Sequence, residues 1–192
     1  VQDRVQTWLD LLRFEGDAGR VLIHEASRAW QQDLPLPRFL KDGGFLWESD
    51  RTGFRHVYRY DAQDRLLGAL TAGAWDVRKV HGVDEKAGRV YFDATERSPI
   101  GLDLYRVDLR GKAPNAGLAR LTEAPGTHGV TFDPTFRFFL DRWSDARTPA
   151  RQAVFEASGR QVRMLDAAAT PLFAGLRQGP IRFQQVQTRD GF

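Results

Sequence analysis

What most constrains this chain is a repeat: strand patterns recur in rounds of about 40–50 residues, four strands to a round. The clearest round runs from Phe45 to Thr71. Phe45–Ser49 is an aromatic-rich run, and Asp50-Arg51-Thr52-Gly53 is a turn in which glycine can take positive φ. Arg55 to Tyr60 alternates His56, Tyr58 and Tyr60 against Arg55, Val57 and Arg59. Asp61-Ala62-Gln63-Asp64 turns the chain again, and Arg65 to Thr71 closes a meander. Such a unit cannot bury both faces alone and needs neighbours like itself.

The chain supplies them. His81-Gly82-Val83-Asp84 leads through the turn Glu85–Gly88 to the strand patterns Arg89–Asp93, Leu102–Val107 and Leu118–Thr122. A second His-Gly-Val, His128 to Val130, opens a third round through Phe136–Asp141, Gln152–Ala157, the turn Ser158-Gly159 and Gln161–Leu165. Tyr58-Arg59 matches Tyr105-Arg106, and the run ending Leu70-Thr71 matches the run ending Leu121-Thr122. Four-stranded units at this spacing predict an all-β fold, a partial β-propeller of about three full blades plus part of a fourth. The array is open unless other chain segments complete it. A sandwich with regular turns is the competing architecture.

The blades fall at roughly 1–35 (partial), 36–71, 77–122 and 127–165. Arg4–Phe14 and Arg20–Ser27, around the turn Glu15–Gly19, read as the outer half of a blade whose first half would precede Val1. Trp30 and a link with Pro35 and Pro37 follow; then Arg38–Lys41 and the turn Asp42-Gly43-Gly44 open the next blade. The longest loops are Glu96–Gly101 and Arg110–Gly117. The propeller is expected over 1–177, with a short helix at Ala167–Leu172 leading into a linker. Beyond the break at Gln178-Gly179-Pro180, residues 178–192 read as a link and one more strand, Ile181–Thr188. Trp47, Tyr58, Trp75, Tyr91 and Phe139 are the expected core aromatics between blades.

Composition excludes several classes. No apolar run approaches the roughly 18 residues of a membrane span. No charged segment followed by an apolar one opens the chain, so no signal peptide is visible, although Val1 is not a natural start. Cysteine is absent, which excludes disulfides and thiolate metal sites. The net charge of +3 comes from arginines scattered singly between strands, where a nucleic-acid surface would need them on one face. No nucleic-acid partner is expected.

No catalytic residue is assigned. None of Ser27, Ser49, Ser98, Ser144 and Ser158 sits in Gly-x-Ser-x-Gly, the strained elbow that exposes a nucleophile. The four histidines are far apart in sequence and form no His-Glu-x-x-His, so no metal or cofactor site is expected. His81 and His128 read as equivalent positions at the start of the innermost strand, packing there or lining the central channel. Glu48, Asp93 and Asp141 occupy similar places on the second strand of three blades and are expected to cap turns or pair with arginine. Trp75-Asp76 precedes a blade here and so differs from the Trp-Asp that closes a strand in one propeller class.

Three stretches together resemble the N-terminal propeller domain of the dipeptidyl peptidase IV family of serine peptidases. They are Ser49–Tyr58, Gly73-Ala74-Trp75-Asp76-Val77 and Pro125-Gly126-Thr127-His128, in matching order and spacing. The resemblance covers about Arg4 to Leu165. It implies a non-catalytic propeller portion that gates access and positions peptide N-termini, so that a C-terminal α/β-hydrolase domain releases Xaa-Pro or Xaa-Ala dipeptides. The family's Ser-Asp-His triad would lie in that domain, beyond this chain. The adjacent Glu pair that holds the substrate amine in the family does not occur here, and its region would precede Val1. The loop after Trp30, Gln31-Gln32-Asp33-Leu34-Pro35, lacks the family's aromatic-Arg arrangement, so no substrate contact is carried over. The resemblance further suggests a bacterial periplasmic or secreted enzyme. Open blade edges invite pairing between copies. An autonomous propeller-like module binding a protein or peptide is the alternative.

Overall fold

The structure is a computed structural model, described at residues 1–28, 30–32, 34–167, 179, 181–184 and 186–189. Strands β1 (Trp8–Glu15) and β2 (Ala18–Ala26) form a two-stranded sheet. A first full blade follows as β3 (Arg38–Phe39), β4 (Phe45–Ser49), β5 (His56–Tyr60) and β6 (Leu66–Ala69), in that spatial order. The second is β7 (Val77–Asp84), β8 (Arg89–Ala94), β9 (Asp103–Asp108) and β10 (Ala119–Arg120). The third is β11 (Thr127–Phe132), β12 (Phe138–Ser144), β13 (Arg151–Glu156) and β14 (Gln161–Asp166). Within each sheet, successive strands pair antiparallel. The chain is thus all-β, a partial propeller whose first sheet is half a blade.

The core lies between the blades. Leu9 and Ile23 of the half blade pack with Phe45, Trp47, Tyr58 and Tyr60 of the first blade. Leu46 and Val57 point the other way, onto Val77, Val90, Phe92, Tyr105 and Val107 of the second blade. Tyr91 and Leu104 leave the second blade on its far side to meet Val130 and Phe139 of the third. The central strands of the first and second blades therefore use their two-residue side-chain period to feed two interfaces, one on each face. That explains why β5 is buried on both faces although its sequence alternates. Among the described residues no apolar cluster joins the third blade back to the half blade, so the array stays open.

Several sequence expectations shift. Phe136 does not begin a strand. It sits at φ 54° in a turn whose carboxylate, Asp133, accepts the N–H groups of Thr135, Arg137 and Phe138, and β12 starts only at Phe138. Trp75 is half-buried; it stacks on Phe92 and meets His56 edge-on, whereas Trp47, Tyr58, Tyr91 and Phe139 are fully buried. The strand expected over Ile181–Thr188 is not formed at 181–184 or 186–188, which pair with no neighbouring strand. The short helix expected at Ala167–Leu172 falls, apart from Ala167, outside the described residues.

Phe139 stacks on Phe155 at a centroid distance of 5.2 Å and is 1% exposed. Phe139→Ala leaves a cavity in the interface between the second and third blades. It should cost about 3–5 kcal/mol, read as a lower midpoint in chemical denaturation. Val162→Ala, on the exposed strand β14, should leave the midpoint unchanged within error.

Candidate functional site

The repeat brings equivalent threonines to the same place in two blades. Thr71 Oγ1 accepts the N–H of Val57 at 3.0 Å, and Thr122 Oγ1 accepts that of Leu104 at 3.1 Å. Val57 and Leu104 are therefore counterparts, and so are their predecessors His56 and Asp103. In the first blade His56 Nε2 faces the Gly73 carbonyl at 3.0 Å, and burial holds this imidazole below its ordinary pKa. In the second blade the counterpart is a carboxylate, and an ionic cluster grows around it.

Asp103 Oδ1 accepts the Thr122 hydroxyl at 3.0 Å, and Oδ2 lies 3.0 Å from Arg97 Nε. Arg97 donates onward to the Glu123 and Ala124 carbonyls at 3.1 and 3.0 Å. From the third blade, His128 places Nδ1 2.7 Å from Asp141 Oδ2 and Nε2 2.9 Å from the Ala124 carbonyl. His128 Nε2 is also 3.7 Å from Asp103 Oδ1. Both ring nitrogens meet groups that only accept, so both carry protons and the ring is an imidazolium. Burial opposes that charge, but the Asp141 and Ala124 hydrogen bonds and the two carboxylate charges hold its pKa above the ordinary value. Two cations and two carboxylates, all buried but for the partly exposed Arg97, thus tie the second blade to the third.

Above this cluster opens a cleft of about 700 Å³. Its walls are Arg97, Ser98, Ile100 and Gly101 before β9, Pro125–Thr127 at the start of β11, and Ser144–Thr148 at the end of β12 and beyond it. Gly126 has φ +127° and packs so closely on the Ser144 carbonyl that a Cβ would not fit. Ile181 and Phe183 complete the lining, and Arg147 donates to the Ile181 carbonyl at 2.8 Å. A comparable ionic contact joins the half blade to the first blade. There Glu25, 4% exposed, accepts the Trp47 indole N–H at 3.0 Å and pairs with Arg51 at 2.5 Å.

Register corrects the equivalence that the shared His-Gly-Val suggests for His81 and His128. Val77 N–H donates to Arg55 O as His128 N–H does to Leu102 O, each at 2.8 Å, so Val77 is the counterpart of His128. His81 lies farther along β7, with Nε2 2.8 Å from Asp93 Oδ1 but without hydrogen-bond alignment. The repeated carboxylates do occupy one position: Glu48, Asp93 and Asp141 face Val57, Leu104 and Ala153 across the second and third strands. Asp93 and Asp141 pair with histidine, in place of the expected arginine or turn. Glu48 has no imidazole partner among the described residues. Asp76 is a cap: its carboxylate accepts the Arg55 N–H at 2.9 Å and its N–H donates to Thr95 Oγ1 at 3.0 Å. In the loop after Trp30, Gln31 is buried, and its carbonyl accepts from the Gln2 side chain at 2.6 Å. Arg97 and Asp103, which the sequence singles out in no way, are the residues that build the cluster. The only sequence signal is the Leu-Thr match, which fixes the register of Asp103.

The folded-state pKa of His128 lies above its unfolded value near 6.5, so its stabilisation is full below that value and is lost as pH rises through the higher one. Unfolding free energy should therefore fall as pH rises from about 6.5. His128→Gln should flatten this slope and lower stability by about 3–5 kcal/mol, because it strips a buried carboxylate of its cation. Denaturant melts of both chains across the pH range check it; a wild-type curve that stays flat as pH rises from about 6.5 would contradict it.

Residues 1–150 match the family described as the dipeptidyl peptidase IV (DPP IV) N-terminal region. Human dipeptidyl peptidase 8 is 28% identical over 142 residues, covering 59% of this chain and 15% of the relative. A probable dipeptidyl-aminopeptidase B of Aspergillus oryzae is 30% identical over 214 residues, covering 99% of this chain and 22% of the relative. The chain thus spans less than a quarter of these relatives. The crystal structure of Porphyromonas gingivalis dipeptidyl peptidase 4 superposes with a TM-score of 0.84 at 23% identity, over 100% of this chain and 27% of that one. With the open stack of four-stranded sheets already in hand, the match over residues 1–150 places this chain in the dipeptidyl peptidase IV N-terminal region family.

Proposed function

We propose that this chain is the non-catalytic propeller portion of a serine-type dipeptidyl peptidase. It screens access to, and positions peptide N-termini for, a following hydrolase domain that releases Xaa-Pro or Xaa-Ala dipeptides. The observation that carries this is the cleft between the second and third blades. Ile181 and Phe183, downstream of the last strand, line the same face as the loops before β9 and after β12. Arg147 fixes the backbone of that segment. A chain leaving the propeller along this face delivers whatever follows it to the loop ends of the blades. The ionic cluster beneath supports the role by holding the cleft floor rigid through the Glu123 and Ala124 carbonyls.

The chemistry of the face agrees with a surface that docks and positions. The titratable groups next to the cleft are engaged in structure: Arg97 on two carbonyls and Asp103, and Asp145 on the N–H groups of Arg147 and Thr148. Blade edges left open would in this reading be met by other parts of the same enzyme or by a second copy.

The chain alone should release no chromophore from Ala-Pro or Gly-Pro p-nitroanilide, whereas the full-length product of its gene should. Turnover by the chain alone, persisting after each serine is replaced, would overturn the non-catalytic assignment. An inert full-length product would overturn the peptidase assignment.

A further inference from the structure

The position shared by Glu48, Asp93 and Asp141 is treated differently in each blade. In the second and third blades the innermost strand supplies a histidine, His81 or His128, within 2.8 or 2.7 Å of the carboxylate. In the first blade the innermost strand is only Arg38–Phe39, entered through Pro35 and Pro37, and no imidazole reaches Glu48. Glu48 is nonetheless 8% exposed, and its Oε2 is buried without a hydrogen-bond partner. A cavity of about 150 Å³ opens beside Glu48, and Arg38, Arg78 and Lys79 line it together with Leu36 and Val80.

A buried carboxyl oxygen without a partner is costly, so something must satisfy it. The cavity holds a few waters by volume. Water would serve the carboxyl oxygen but would leave Arg38 and Lys79 without a carboxylate partner in salt-bridge range among the described residues, while Arg78 lies 3.4 Å from Asp76 Oδ2. A cation is repelled by the same three. We propose that this cavity binds a small oxyanion, held by Arg38, Arg78 and Lys79 with the Glu48 carboxyl group donating its proton as a hydrogen bond. Arg38 is preset for this, since its guanidinium is held against the Val80 carbonyl at 3.2 Å. Arg78 and Lys79 are exposed and can close over the ligand. Burial raises the pKa of Glu48 against the pull of Arg55 and Arg38, which favours the protonated donor. If Glu48 is ionised beforehand, binding takes up one proton from solvent. A carboxylate, such as a peptide terminus, and a tetrahedral inorganic anion share this chemistry.

Calorimetric titration of the full chain with sodium sulfate and, separately, sodium acetate at fixed ionic strength tests the site. A saturable one-site heat is expected for at least one of them, and which of the two binds tells a tetrahedral anion from a carboxylate. Lys79→Ala, a change at an exposed side chain, should weaken that binding about tenfold. Wild-type affinity for sulfate, whose charge is constant over the range, should fall as pH rises. Glu48→Gln, which keeps the size and a donor, should remove that dependence. No saturable heat with either anion, Lys79→Ala affinity equal to wild type, or Glu48→Gln keeping the wild-type pH dependence would each overturn the proposal.

Discussion

The fold depends on face-to-face packing of one sheet on the next. The first and second blades have two core faces each, contributed by alternate residues of the same strands, whereas the third has one core face and one solvent face. Val57 and Tyr58 are adjacent in sequence, both buried, and belong to different interfaces. An isolated blade would therefore expose two apolar surfaces, so stability is a property of neighbouring pairs, as in other repeat architectures. The outermost strand lies beyond the reach of these interfaces, which is why β14 is exposed along its whole length.

Between the second and third blades this apolar packing is supplemented by charge. Tyr91, Leu104, Val130 and Phe139 form the greasy part, and Arg97, Asp103, His128 and Asp141 the ionic part at the loop end. A buried ion pair is weak evidence of net stability, since dehydrating the charges offsets their attraction. What it contributes here is geometry. Arg97 and His128 converge on the single carbonyl of Ala124 from different blades, so the turn leading into β11 can sit in only one place. The cleft owes its shape to that turn.

Much of the architecture was legible because local chemistry and global fold agree. The boundaries of β4 were readable to the residue, since Gly44 and Asp50 punctuate an aromatic run. The matching Leu-Thr ends of two rounds proved to be a real structural equivalence, down to the backbone N–H that each threonine caps. Features set by tertiary context were not legible. The alternation in β5 reads as one face in and one out, but both are buried because a blade lies on either side. Phe136 looks like strand and is a turn, because Asp133 gathers three N–H groups that a strand would pair elsewhere. His81 and His128 share a Gly-Val context but not a register, and only the hydrogen bonds of Val77 and His128 reveal it. Arg97 and Asp103 sit in a loop and at a strand start with no motif, so their meeting with His128 is visible only in three dimensions.

The three carboxylates on the second strands show how a repeat diverges without losing its fold. The position is buried in all three second strands, so a carboxylate there is pulled out of water and needs a partner. The partner comes from the innermost strand, and its identity depends on that strand's length and register. His128 sits near the start of β11 and aligns well with Asp141. His81, farther along β7, reaches Asp93 only at poor angle. β3, shortened behind two prolines, which fix φ and remove N–H donors, brings Arg38 near Glu48 but no hydrogen-bond partner for its Oε2. Loss of the partner therefore traces to the proline-bearing link, a local change in the connection between blades, and not to any change in the sheet that carries the acid.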